Sequence, residues 1–447
     1  GASIQSPKTR NQATREPLAA LDFVIDQAEP ALFLFKDLHP YLNRSHPAVV
    51  RRLKEIGLHL KNSFKTIFIV APVLEMPIEL EKETTVINFP LPNRRELGEL
   101  LGTITNELKE HKNLTIEIGP ESREQLVQAA LGLTESEAEN VFAKMLVKTG
   151  SLSGENISEI FLEKQQIVRK SGLLDYCEVT ETISNVGGLG ALKEWLGKRS
   201  RAFSEEARAF GLPAPKGILL LGVQGCGKSL SAKAVSSLWQ MPLLRFDMGR
   251  MFGSLMGSSE ENVRRAIQVA ESVAPIVLWI DEIDKAFAGS GGSGNSDAGT
   301  SARVLGSLLT WLSEKTSPVF VVATANDISH LPPELLRKGR FDEIFFVDLP
   351  ADEEREEIFR IHLERRRREV SQFDLPSLAR QSEGYSGAEI EEAIITGLYD
   401  AFHENRELTT EDILHALQRT VPLSRTMDTQ INALRAWAEG RARNASC

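Results

Sequence analysis

The stretch Gly222–Ser229, GVQGCGKS, fits the phosphate-binding loop pattern G-x-x-x-x-G-K-S/T at every fixed position. The apolar run Gly217–Leu221 directly before it is typical of a buried parallel strand, and the residues from Leu230 onward indicate the start of a helix. In a strand, glycine turn and helix of this kind, backbone N–H groups and the positive end of the helix dipole converge on one point. The sequence therefore predicts an α/β domain with a phosphate site at this turn.

Composition narrows the class of protein. The chain has 447 residues, 52 basic against 62 acidic side chains, a net charge of −10 and 42% apolar residues, which suits two or more globular domains. The acidic balance disfavours non-specific nucleic-acid binding, which needs a basic face. Three cysteines do not suggest a disulfide framework and indicate a reducing compartment. The sequence contains no apolar run long enough to span a membrane.

Two further strand ends carry polar side chains suited to phosphoryl transfer. One apolar run ends in Asp281 and Glu282, another ends at Asn326, and α/β proteins bind ligands at the carboxyl ends of their strands. Hydrolysis of ATP depends mostly on the placement of charge. Lys228 would contact the β- and γ-phosphates, while Ser229 and Asp281 would hold Mg²⁺. Glu282 would polarise the attacking water, and Asn326 would orient it.

Two arginines follow these strands. Arg337 and Arg340 lie on either side of Gly339. A guanidinium group carries a permanent charge that suits phosphate. The pair either forms surface salt bridges or reaches the γ-phosphate held by a neighbouring subunit, in which case hydrolysis would depend on assembly.

An internal repeat precedes the phosphate-binding loop. The order strand, amphipathic helix, strand runs through residues 31–70 and again through residues 276–322. Lys36 in the first copy stands where Asp281 stands in the second, and an ammonium group cannot help to hold Mg²⁺. No glycine-rich loop precedes the first copy, which is therefore predicted not to hydrolyse ATP. The alternative is two unrelated α/β domains that share a generic strand–helix rhythm.

These motifs together resemble a known family. Residues 183–422 resemble the AAA module of the AAA+ ATPase superfamily, through the phosphate-binding loop, the Ile280–Asp284 stretch and Asn326. The stretch Leu335–Asp342 is similar to the second region of homology that distinguishes the AAA clade. Leu32–His39 also resembles the hypothetical chloroplast reading-frame AAA proteins of cyanobacteria and plastids.

The resemblance implies a Mg²⁺-dependent ATPase in the cytoplasm or the plastid stroma. It implies a homo-oligomer, a hexamer in this family, in which Arg337 and Arg340 act as arginine fingers in trans. It also implies contacts to the nucleotide by residues that match the family's motifs. Those around the phosphates are Gly222, Gly225, Cys226, Gly227, Lys228, Ser229 and Leu230, and those around the base are Val186, Gly187, Ile361, His362, Gly387 and Ala388. Without the resemblance, His362 would be taken as an ordinary helix histidine.

Two departures from the family pattern affect the expected function. Leu255, Met256 and Gly257 match the pore loop that grips polypeptide in unfolding AAA rings, but they lack its aromatic ring, which weakens the case for threading. Cys226 replaces a usual threonine. Its place at a helix N-terminus predicts a lowered thiol pKa, so it is either a redox-sensitive group or a small-residue filler.

The predicted fold is α/β: a P-loop AAA+ module with a parallel sheet and a helical lid, preceded by a degenerate ATPase-like half with its own lid. The predicted ranges are a lead-in at 1–17, a degenerate α/β domain at 18–110, its helical lid at 111–175, a large ATPase domain at 183–350, a small helical lid at 351–422, and a helix and tail at 423–447.

Two functions remain open. One is a ring-forming ATPase that remodels an unidentified protein client or adaptor, with the first half as its platform. The other is a nucleotide-controlled assembly or scaffold switch that does not thread substrate. A clamp-loader or helicase-like role on DNA is disfavoured by the acidic balance.

Overall fold

The computed structural model describes residues 14–43, 45–61, 63–72, 74, 76–87, 89–112, 119–149, 157–179, 182–248, 259–285, 297–329 and 331–446. The chain forms two compact units, Gly1–Pro90 and Leu91–Cys447. Among the described residues, no helix combines the length and the apolar character needed to cross a membrane.

The first unit is built on one parallel strand pair. Its described elements are α1 (Pro17–Asp26), β1 (Ala31–Lys36), α2 (Pro47–Leu60) and β2 (Lys65–Val70), with short 3₁₀ turns at His39–Tyr41 and Ile78–Leu80. β1 pairs in parallel with β2, and α2 is the crossover between them. Leu21, Leu53 and Ile56 form a small core with their neighbours. The crossover is the strand–helix–strand order that the first copy of the repeat predicts.

The second unit begins with a helical bundle. Its helices are α3 (Arg94–Lys112), α4 (Pro120–Ala130), α5 (Glu135–Thr149) and α6 (Ile157–Ser171). They share a core around Leu126 and Phe142, and Val168 joins the core beneath the main sheet. The sequence predicted that these helices cap the first half. In the structure they belong to the second compact unit, because α6 packs against the sheet, and residue 110, a predicted domain boundary, lies within α3.

A sheet with seven strands in the described part of the chain organises the rest of the second unit. Its order is β3-β5-β6-β7-β4-β8-β9, and every pair is parallel except β3 with β5. The strands are β3 (Asp175–Cys177), β4 (Gly217–Gly222), β5 (Leu243–Phe246), β6 (Ile276–Ile280), β7 (Val319–Ala325), β8 (Glu343–Val347) and β9 (Arg443–Asn444).

Both faces of this sheet are covered. β4, β6 and β7 are buried at every position, as expected for parallel strands between two helical layers. Leu219 faces one core and Leu220 faces the other. The helices around the sheet are α7 (Gly190–Gly197), α8 (Glu205–Ala209), α9 (Lys228–Trp239), α10 (Ser259–Ser272) and α11 (Asp297–Glu314), with a 3₁₀ turn at Ile183–Asn185.

A helical subdomain follows β8 and has its own core, centred on Phe359, Ile390 and Ile413. It contains α12 (Asp352–Arg365), α13 (Leu375–Gln381), α14 (Gly387–His403) and α15 (Thr410–Arg419), with a 3₁₀ turn at Val370–Gln372. The short helix α16 (Leu423–Thr426) and α17 (Asp428–Ala438) then lead to β9, a two-residue strand that the sequence analysis did not predict.

We predict that Gly132 is essential to the stability of the second unit. Its φ is +90°, and a Cβ at this position would lie 2.6 Å from the Ser272 carbonyl oxygen. Gly172 also has positive φ, but a Cβ there would meet no atom within 4 Å. Gly172→Ala should therefore lower the free energy of unfolding by about 1 kcal/mol, from backbone strain alone. Gly132→Ala should lower it by about 3 kcal/mol, because the close contact adds to the strain.

Denaturant unfolding followed by tryptophan fluorescence measures this difference. All five tryptophans (Trp195, Trp239, Trp279, Trp311 and Trp437) lie in the second unit, so the signal reports that unit alone. Equal destabilisation by the two substitutions would contradict the close approach of the bundle to the 272–274 turn.

Candidate functional site

The phosphate-binding loop connects β4 to α9 at the carboxyl end of the sheet. Gly222 ends the strand at a φ of +150°, where a Cβ would lie 2.0 Å from the carbonyl oxygen of Val347. Only glycine fits at this approach to β8. At the far side of the loop, the N–H of Ala388 donates to the carbonyl of Gly225 at 3.0 Å. The loop is thus fixed to the sheet at one end and to α14 at the other.

The ammonium group of Lys228 fills the interior of the loop. Its Nζ donates to the carbonyl oxygens of Gly222 at 2.8 Å and Val223 at 2.7 Å. The side chain is buried, and burial lowers the pKa of Lys228 to about 8 because the charged form loses solvation. Carboxylates in the next loop oppose that shift. A phosphate in this loop would supply a counter-charge at short range.

Ser229 and Asp281 come together as the metal-site prediction requires. The hydroxyl of Ser229 donates to Asp281 Oδ1 at 3.3 Å, and the hydroxyl of Thr324 donates to the same oxygen at 2.8 Å. Arg245 approaches Oδ2 with its Nη2 at 3.4 Å. Hydroxyl and carboxylate oxygens are the hard donors that Mg²⁺ prefers, so the pair fits this ion.

Glu282 and Asn326 also meet. Asn326 Nδ2 lies 3.4 Å from Glu282 Oε1, and Lys285 Nζ lies 2.7 Å from Oε2. Glu282 has a left-handed φ of 47°, and its N–H donates to Thr324 Oγ1 at 3.0 Å. This conformation is uncommon away from glycine and turns the carboxylate away from the line of the strand. The Thr324 hydroxyl therefore orients both acidic residues.

A second link joins the loops after β6 and β7. The Asp284 carboxylate is buried, and its Oδ2 accepts the N–H of Asp327 at 3.1 Å. Burial raises the pKa of Asp284. The N–H of Ile283 donates to the Thr324 carbonyl at 2.9 Å. Asp281–Asp284 is thereby held against the end of β7.

The segment that carries the two arginines is attached to the start of β4. Asp342 Oδ2 accepts the backbone N–H of Lys216 at 2.7 Å and of Gly217 at 2.9 Å. Lys216 Nζ donates to the Gly339 carbonyl at 2.7 Å. Arg337 is exposed, whereas Arg340 is half-buried, and its Nη1 atom has no hydrogen-bond partner among the described residues.

A cavity of about 240 Å³ adjoins the phosphate-binding loop. The predicted nucleotide contacts that line it are Val186, Gly187, Gly225, Cys226, Gly227, Leu230, His362, Gly387 and Ala388. Ile361, another residue that matches the family's base contacts, lines it as well. The lining residues that the sequence did not single out are Asn185, Leu189, Asp348, Pro350, Glu354, Ile358, Arg365, Glu391 and Ser446. Among the described residues, its lining does not include Arg337 or Arg340.

Carboxylates from α12 hold one wall of the cavity. The N–H of Gly188 donates to Glu357 Oε2 at 2.6 Å, and the N–H of Leu189 donates to Glu354 Oε1 at 3.0 Å. A Cβ on Gly187 would lie 2.5 Å from Ile358 Cγ1. The segment before α7 therefore packs directly on the helical subdomain.

His362, also on α12, lines the same cavity. Its Nδ1 is 3.4 Å from Glu391 Oε1, and Arg366 Nη2 lies 2.7 Å from that oxygen. The Arg366 Nη1 donates to the His362 carbonyl at 3.0 Å. The ring is thus positioned at the cavity by its contact with Glu391 of α14.

Cys226 corrects one expectation. Its position beside a helix N-terminus predicted a lowered thiol pKa. In the structure the side chain lines the cavity, and burial raises the pKa of Cys226 to about 12, an effect larger than the opposing influence of Lys228. The thiol therefore stays protonated near neutral pH, which favours the small-residue interpretation over the redox switch.

The predicted pore-loop residues Leu255, Met256 and Gly257 lie outside the described part of the chain.

Models of known protein families match four parts of the chain. Residues 218–349 match the ATPase family associated with various cellular activities (AAA), and residues 372–415 match the AAA+ lid domain. Residues 2–89 and 95–171 match the N-terminal and second domains of SpoVK-like AAA ATPases.

Individual relatives extend over almost the whole chain. The ycf46 AAA domain-containing protein of Guillardia theta is 45% identical over 99% of this chain and 86% of its own length. That of Trieres chinensis is 44% identical over 99% of this chain and 88% of its own length. A cell division cycle protein 48 homolog of Archaeoglobus fulgidus is 29% identical over 72% of this chain.

We predict that Lys228→Ala abolishes detectable nucleotide binding, because it removes the charge buried inside the loop. Lys233→Ala is the matched control, since Lys233 lies one turn further along α9 and outside the cavity lining. Calorimetric titration with ATP measures both. Retention of wild-type affinity by Lys228→Ala would contradict the placement of the phosphates.

Proposed function

This chain belongs to the family of AAA ATPases that includes the ycf46 AAA domain-containing proteins, and we propose that it hydrolyses Mg-ATP in a homo-oligomeric ring that remodels a protein partner. One observation supports this most. Lys228, the Ser229–Asp281 pair and the Glu282–Asn326 pair converge at one edge of the sheet, beside a cavity of nucleoside size.

Each pair has a separate role in the reaction. Lys228 would exchange its contacts with the loop carbonyls for contacts with the β- and γ-phosphates. Ser229 and Asp281 would hold Mg²⁺, which neutralises charge on the phosphate oxygens. Glu282 would accept a hydrogen bond from the attacking water and so polarise it. Asn326 would orient this water for attack.

A neighbouring subunit would supply the guanidinium groups that neutralise charge on the γ-phosphate. Arg337 is exposed, and the buried Nη1 atom of Arg340 has no hydrogen-bond partner in the described part of the chain. The Asp342 contacts with Lys216 and Gly217 attach this segment to β4, the strand that leads to the phosphate-binding loop. These contacts favour arginine fingers in trans over surface salt bridges, because they anchor the segment while the Arg337 guanidinium stays exposed, so that it can contact a partner's phosphate.

The proposed partner is a protein. The net charge of −10 disfavours nucleic acid. In the first unit, Leu32, Leu34, Phe68 and Val70 expose the apolar face of the β1–β2 sheet, which suits contact with a polypeptide. The hexameric state is also part of the proposal. So is the cytoplasmic or stromal location, because the free thiols of Cys177 and Cys226 suit a reducing compartment. A scaffold switch is the second candidate, favoured by the non-aromatic pore loop.

We predict that Glu282→Gln binds ATP but hydrolyses it at least about 100-fold more slowly, because an amide is a much poorer base for water. Its dissociation constant for ATP should stay within about threefold of wild type. Glu334→Gln, an exposed carboxylate before Arg337, is the control and should hydrolyse ATP normally. Single-turnover kinetics separate binding from chemistry. A Glu282→Gln form that turns over at the wild-type rate would eliminate this residue as the base.

We predict that ATPase activity per subunit rises with protein concentration through the assembly range. Arg337→Ala or Arg340→Ala should lower kcat by about 10³-fold with ATP binding retained, and Lys338→Ala should not.

Mixing the inactive Lys228→Ala and Arg340→Ala forms provides the sharper test. The first contributes arginines and the second contributes an intact pocket, so mixed rings should recover activity. No recovery in verified mixed oligomers, or specific activity independent of concentration, would contradict action in trans.

A further inference from the structure

The segment Asp428–Ser446 returns from the helical subdomain to the nucleotide cavity. We propose that this segment is a wall of the nucleoside subsite, with Ser446 in contact with the base or ribose of bound ATP. The inference rests on the proposed function, since it assumes that ATP occupies the cavity.

Backbone hydrogen bonds fix the end of the segment beside the cavity. β9 pairs in parallel with β8, and the N–H of Ala445 donates to the Phe346 carbonyl at 2.9 Å. On its other side, the Ala445 carbonyl accepts the N–H of Leu192 at 3.0 Å. Leu192 lies in the first turn of α7, where N–H groups have no acceptor within the helix. Ala445 therefore connects the sheet edge to α7 and is fully buried.

The two elements that Ala445 connects, β8 and α7, are each flanked by a residue that lines the cavity. Asp348 follows β8 directly and lines the cavity, and Leu189 precedes α7 and lines it too. Ser446, the next residue along the chain, completes the same lining. Its hydroxyl is able both to donate and to accept a hydrogen bond, so it can pair with base nitrogens or ribose hydroxyls.

An ion pair adds a second connection. Arg435 on α17 approaches Asp348 in a bidentate manner, with Nε 2.8 Å from Oδ2 and Nη2 2.9 Å from Oδ1. Leu434 and Ala438 on the same helix are buried in the core beneath the sheet. The segment is thus anchored by packing, by an ion pair to a cavity residue and by a strand pairing.

The position of the loop decides which part of ATP lies beside Ser446. The phosphates would occupy the loop around Lys228, so the moiety that reaches the adjoining cavity is the nucleoside. Inorganic tripolyphosphate has the same charged groups without a nucleoside. It therefore separates a contact with the nucleoside from an effect on the whole fold.

The experiment compares binding of ATP and tripolyphosphate by wild type and three variants. Ser446→Ala should weaken ATP binding by about two- to tenfold, the usual range for one hydrogen bond. Ser446→Trp should weaken it at least about tenfold, because the indole would occupy space in the cavity that the nucleoside needs. Both should bind tripolyphosphate as wild type does. Glu439→Gln, on an exposed side chain of the same segment, should leave both ligands unaffected.

Hydrogen exchange gives an independent readout. Because a ligand stabilises the groups it contacts, ATP should slow exchange at the Ala445 and Leu192 N–H groups, and tripolyphosphate should not. Wild-type ATP affinity in both Ser446 variants, or equal weakening of ATP and tripolyphosphate, would overturn this inference alone. Failure of wild type to bind ATP would overturn the proposed function as well.

Discussion

A buried ammonium group held by two backbone carbonyls is the contact on which the site depends. Lys228 loses solvation inside the loop, and the carbonyls of Gly222 and Val223 accept hydrogen bonds that compensate for part of this loss. A buried charge without a full counter-ion is costly, so the loop gains from binding an anion. The fixed approach of Gly222 to β8 holds the loop in this shape. The register of the parallel strands then places the carboxylates and the amide around the same anion.

Strand register explains why the polar residues that the sequence singled out at the strand ends lie close together. Ile280 pairs with Ala323 and Leu221 with Ala325, so the residues that follow each strand meet at one edge. The apolar runs predicted the strands, and the polar residues at their ends predicted the chemistry. Thr324 was missed because a threonine within an apolar strand carries no local sign of its two partners. Arg245 was missed for the same reason.

Features that depend on distant parts of the chain were not predictable. The thiol pKa of Cys226 was inferred from the helix beside it, whereas burial by neighbouring elements decides it. β9 has two residues and no periodicity, and its pairing with β8 is visible only in the folded chain. The membership of α3–α6 in the second unit likewise rests on tertiary packing, around Val168 and the close contact at Gly132. The two predicted copies of the strand–helix–strand repeat also differ in how deeply their strands are buried. Side chains of β1 and β2 alternate between half-buried and exposed, whereas those of β6 and β7 are buried throughout.

The number of ATP molecules bound per chain tests the central claim most directly. Lys36 in the first unit stands where the second has Asp281, so ATP should bind to one site per chain, in the second unit. Equilibrium dialysis with a non-hydrolysable ATP analogue gives the stoichiometry, and photo-crosslinking with an azido-adenine analogue followed by peptide mapping gives the location. We expect one nucleotide per chain, with label confined to residues 183–446. Two nucleotides per chain, or label within residues 14–90, would contradict it.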